Sequence, residues 1–185
     1  MSPIRWESQP IFLRSGDPES ENEPTLQYPG QLGMRLTVVQ PARGAVGAET
    51  ARAKRYQLVQ TDSTMSVAPY PGATAWWSDK TKYLVTTTAT NRNRVAGVFQ
   101  NAITPGNYGC VQISGPATVK LLDADMAAVA IGDHIIPSTT NGKATRVAVG
   151  TAPTHAVLGQ VAGPPISTDP PSATVVVDLN VPETV

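Results

Sequence analysis

The chain has 185 residues, 41% of them hydrophobic and only 15% charged, with a formal net charge of zero. That is enough apolar material for one packed core and too little positive excess for a nucleic-acid-binding protein. One cysteine, Cys110, rules out an internal disulfide and a cysteine-rich metal site. The start MSPIRWESQP has no apolar h-region, and no stretch approaches the ~20 apolar residues of a membrane helix. Synthesis in the cytoplasm, without a membrane partner, is expected.

Residues 1–30 read as an extended, proline-rich arm. Five prolines fall there, at Pro3, Pro10, Pro18, Pro24 and Pro29, and they prevent a helix. A polar run at 16–23 lies between the apolar part of the arm and the strand-rich remainder of the chain. Yet Ile4, Trp6, Ile11, Phe12 and Leu13 are large apolar groups that a purely disordered tail lacks. Fully stretched, the arm reaches on the order of 90 Å. Trp6, Ile11, Phe12 and Leu13 are therefore interface candidates on a neighbouring subunit; the alternatives are a free tail or a strand folded back on its own domain. Charge is blocked along the chain: net −3 over 1–30, +6 over 31–100 and −3 over 101–185. Such blocks suit self-association or a partner of mixed charge.

From residue 31 on, 15 glycines and 17 prolines across the chain favour many short strands over long helices. Strands are predicted at 33–40 and 54–60, with a small-residue loop between them. A loop comes next over 61–79, holding the turn APYPG at 68–72 and the pair Trp76–Trp77. Further strands are predicted at 81–88, 94–100, 108–114 and 117–122, the last two divided by a Gly115–Pro116 turn. In 108–114 the alternation puts Cys110 and Gln112 on one face and Val111 and Ile113 on the other. Residues 123–131 (DADMAAVAI) are the one helical candidate, capped by Asp123 or Asp125. Strands at 132–138 and 143–149 flank Asn141–Gly142, the strongest hairpin signal. The last strands lie at 156–161 and 173–179, around a proline-rich connection at 163–171. The fold class is all-β: a compact β-barrel or β-sandwich of roughly ten short strands with at most one short helix. Residues 31–185 form the β-rich domain, with 31–80 either part of it or a small subdomain. The closed body is placed over about 81–162.

Raw material for chemistry is thin, and no catalytic, cofactor or metal residue is assigned. Asp133 and His134 are adjacent and point to opposite faces of a regular strand, so they make no relay, and with His155 they lack a recognisable ligand spacing. Cys110 reads as a small apolar filler. No GxSxG, GxGxxG or GxxxxGK[ST] is present. The basic run at 52–55 (RAKR) suits ion pairs or a subunit contact better than nucleic acid. Trp76 and Trp77 are interface or core candidates, and a pair of exposed aromatics also suits sugar stacking.

Three segments then carry a resemblance: GVFQNAITPGNYGCVQIS at 97–114, GPATVKLLDADMAAVAIGDHIIPSTTNGKATRV at 115–147 and HAVLGQVAGPP at 155–165. Their order and spacing resemble the small β-rich head decoration (cement) proteins of tailed bacteriophages. Residues 102–109, Gly132–Asp133 and Leu158–Gly159 carry the likeness, which covers about 95–165. The resemblance implies a non-enzymatic, cofactor-free homotrimer on the outer surface of the virion capsid, contacting the major capsid protein and no nucleic acid. It also implies that the arm grips the capsid or an adjacent trimer. The alternative is a carbohydrate- or host-surface-binding β module of a phage tail or fibre.

Overall fold

The computed structural model describes residues 4–6, 31–39, 53–91, 93–167 and 174–181. The strands are β1 (Ile4–Trp6), β2 (Arg35–Val39), β3 (Ala53–Thr61), β4 (Thr74–Asp79), β5 (Leu84–Thr86), β6 (Val95–Phe99), β7 (Tyr108–Lys120), β8 (His134–Pro137), β9 (Ala144–Val147), β10 (Gly159–Ser167) and β11 (Thr174–Asn180). All lie in one sheet of order β1-β2-β3-β5-β4-β6-β7-β11-β10-β8-β9, and an additional β3–β7 pairing closes it on itself. The closed part is a five-stranded barrel of β3, β5, β4, β6 and β7. The remaining strands extend from it on either side. The described residues contain no α-helix; the predicted helix at 123–131 is a 3-10 segment, Asp123–Ala128.

The barrel starts earlier in the chain than the sequence suggests. Its first stave is β3, and its second, β4, lies inside the predicted loop 61–79. That region therefore hydrogen-bonds into the same sheet as the later strands. The predicted strand 81–88 is cut short. Asp79 accepts from the Thr81 N–H at 3.0 Å and pairs with Lys82 at 3.4 Å, closing a 3-10 turn over Lys80–Lys82. Tyr83 then turns left-handed at φ 51°, and β5 runs only from Leu84 to Thr86.

Gly115–Pro116 is not a turn between two strands. β7 runs through it for 13 residues and serves two bodies. Its first half pairs with β3 (Gln60↔Tyr108 to Arg55↔Ser114) and with β6. Its second half pairs with β11 (Asn180↔Ser114 to Thr174↔Lys120). At the changeover Gly115 adopts φ +86°, and a Cβ there would lie 2.4 Å from the Ala53 carbonyl oxygen, so only glycine fits. Gln112, fully buried, braces the bend: its Nε2 donates to the carbonyls of Ser114 (3.1 Å), Gly115 (3.3 Å) and Pro116 (3.0 Å).

Two cores result. Val59, Ala75, Trp77, Val85, Phe99 and Val111 fill the barrel. Trp76, Val95 and Val98, on the barrel's outer wall, pack against Val119, Leu121, Ile135, Leu158, Val175 and Val177 from the second half of the sheet. Cys110 lies in a smaller cluster with Leu36, Tyr56 and Leu58 on another outer face.

The Asn141–Gly142 turn closes the β8–β9 hairpin, with Lys143 N–H donating to the Thr140 carbonyl at 3.1 Å. Its tip is docked onto the barrel. Asn141 Oδ1 accepts from the Ala89 N–H at 2.8 Å, and its Nδ2 donates to Ser66 Oγ at 2.8 Å. The Gly142 N–H donates to the Thr87 carbonyl, and the Gly142 carbonyl accepts from Thr74 N–H. The hairpin is thus a latch between the two bodies. Asn141→Ala strips the partner from a backbone N–H and is expected to cost roughly 1–3 kcal/mol. Chemical denaturation of the two proteins measures the difference directly.

Candidate interaction site

The β8–β9 hairpin ends, opposite its latch, in two turns held by one carboxylate. Asp133 is buried at the start of β8. Its Oδ2 accepts from the Ala130 N–H at 3.0 Å, and the Asp133 N–H donates back to the Ala130 carbonyl at 3.1 Å. Its Oδ1 accepts from the Val149 N–H at 3.2 Å, and Arg146 pairs with Oδ2 at 3.3 Å. Gly132 N–H donates to the Val161 carbonyl, tying the first turn to β10. Burial alone would raise the Asp133 pKa, but the N–H groups of Ala130 and Val149 and the Arg146 guanidinium outweigh it and hold the carboxyl below 3.8.

This scaffold presents Ile131 and Val149, 68% and 65% exposed, which are the large exposed hydrophobics among the described residues. Val149 lies beside Gly132, the chain neighbour of Ile131: a Cβ added at Gly132 would lie 3.4 Å from Val149 Cγ2. An apolar pair fixed in place before contact loses little conformational freedom on docking. Burying each side chain contributes about 1.5–3 kcal/mol before the cost of association. Edge pairing through β9 is restricted beside the pair. Asp125 accepts from Thr145 Oγ1 at 2.6 Å and from the Arg146 N–H at 3.3 Å, and Leu122 N–H donates to the Ala144 carbonyl.

The residues singled out from sequence fall elsewhere. Trp76 and Trp77 are 0% and 4% exposed, so the surface role considered for them is corrected. They point to opposite faces of β4, as neighbours in a strand must, but both faces are interior: Trp76 packs between the two bodies and Trp77 inside the barrel. An exposed aromatic platform for sugar stacking goes with them. Trp6 lies in β1, paired antiparallel with β2 of the same chain in the register Trp6↔Leu36, which matches the folded-back alternative for that short segment. Ile11, Phe12 and Leu13 lie outside the described residues. Asp133 and His134 diverge: the carboxylate is committed to its hairpin, whereas His134 sits on the other face, across from Gln160. Sequence reasoning missed Ile131 and Val149. The available signal was a large aliphatic residue immediately before a turn glycine, in Ile131–Gly132 and Val149–Gly150.

No family model matches the chain, and no curated protein or solved structure matches it.

Because the folded-state pKa of Asp133 is depressed, its contribution to stability is complete above the ordinary 3.8 and lost as pH falls through the lower folded value. Asp133→Asn is expected to lower stability by roughly 1.5–3 kcal/mol at pH 7. The gap between the two proteins should narrow as pH drops below 3.8. Urea denaturation at a series of pH values checks both; a pH-independent gap contradicts the assignment.

Proposed function

We propose that the chain is a non-enzymatic structural protein that binds the outer surface of a bacteriophage capsid as a homotrimer and stabilises the mature head. The observation that carries this reading is the rigid apolar pair Ile131 and Val149 on the Asp133 scaffold. It lies within the segment that resembles phage decoration proteins, beside Gly132–Asp133. A cement protein requires preformed contact surface on a stiff body. A barrel latched to a second layer of strands supplies that stiffness, and the paired tips supply a ready contact. The net charge of zero limits repulsion between copies packed closely on a shell.

Two measurements test the reading. Light scattering is expected to give a mass near three times 19.5 kDa, unchanged on dilution. Cosedimentation with undecorated capsids is expected to show saturable binding. The Ile131→Asp and Val149→Asp variants should each bind about tenfold or more weakly, with unchanged melting, since each removes at least ~1.5 kcal/mol of burial. A stable monomer that does not cosediment would overturn the proposal.

A further inference from the structure

Where β7 leaves β3 and takes up β11, the ends of those two strands diverge around Ser114. A groove of about 800 Å³ opens there, within the size range of small-ligand sites. Asn180 lies opposite Ser114 on one side of it. Two residues along, the cross-strand row Pro116, Asp178, Gln160 and His134 projects from the same face. Between the two rows runs Gly115–Leu179–Gly159. Leu179 points into the core and the glycines carry no side chain, so bare backbone floors the groove between polar walls.

We propose that this fork groove binds a neutral saccharide through Ser114, Gln160, Asp178 and Asn180. The side chains of all four lack a hydrogen-bond partner among the described residues, and Gln160, Asp178 and Asn180 are exposed. Their chemistry is that of a polyol site. Asp178 accepts from two neighbouring hydroxyls at once, while the two amides and the Ser114 hydroxyl both donate and accept. Pro116 and Val157 offer apolar contact to ring carbons. Among the described lining residues there is no lysine or arginine, and Asp178 is the one carboxylate. A simple ammonium ion would satisfy Asp178 but leave both amides unused. Without an aromatic platform, binding is expected to be weak, with a Kd on the order of 1 mM. The inference stands apart from the capsid reading, because the groove and the Ile131–Val149 tips share no residue.

The test is a titration of the ¹⁵N-labelled full chain with glucose, galactose, N-acetylglucosamine and cellobiose, monitored by NMR. At least one sugar is expected to give saturable shifts at the Gly115 and Gly159 amides and the Gln160 and Asn180 side-chain amides. Gln160→Ala and Asp178→Ala, both surface changes, should weaken binding at least tenfold with unaltered melting. Failure of all four sugars to saturate, or shifts that survive both substitutions, overturns the proposal. So does a stronger response of the same amides to methylammonium, which would mark an amine site. Capsid cosedimentation of the two variants should match the unaltered protein, so the outcome here is separable from the fate of the cement reading.

Discussion

The architecture depends on one strand serving two sheets. β7 closes the barrel with its first half and carries the outer layer with its second, so the two bodies share a continuous run of backbone rather than a linker. A strand can do this only if its partner changes without loss of hydrogen bonding. Gly115 takes the conformation no side chain would tolerate beneath the Ala53 carbonyl, and Gln112 gathers the three carbonyls around the bend. Three acceptors converge on the Nε2 of this buried glutamine, while its Oε1 is buried without a hydrogen-bond partner among the described residues.

The other features depend on that changeover. Because the second half of β7 turns away from β3, the strands attached to it fold across the barrel's outer wall and bury Trp76, Val95 and Val98. Because β3 and β11 part at Ser114, a groove remains at the fork. The β8–β9 hairpin then spans the second layer. Asn141 fastens one end to the barrel and Asp133 organises the other, so the latch that fixes the hairpin also fixes the attitude of the exposed tips.

The two candidate surfaces differ in kind. Ile131 and Val149 are apolar and exposed, on turns whose backbone is hydrogen-bonded to Asp133, and suit a complementary hollow on a protein. The fork groove is concave and polar, with uncommitted amides and one carboxylate, suited to a small hydroxylated ligand.

Local sequence suffices for the all-β class, most strand positions and the Asn141–Gly142 turn, because these obey short-range rules: alternation, β-branched content and turn chemistry. It suffices, too, to place Cys110 and Val111 on opposite faces. It says nothing of what each face meets. Trp76 and Trp77 alternate as any strand pair does, yet both are interior because β4 stands between two cores, and only long-range pairing creates the second core. Gly115–Pro116 has the local chemistry of a turn, but pairing with β3 and β11 on either side keeps the strand running. The exposure of Ile131 and Val149 was likewise settled by tertiary contacts. Asp133 draws together turns 13 or more residues apart in its bonds to Arg146 and Val149. No local pattern encodes that convergence, because it rests on a carboxylate meeting N–H groups that only the folded hairpin brings within reach.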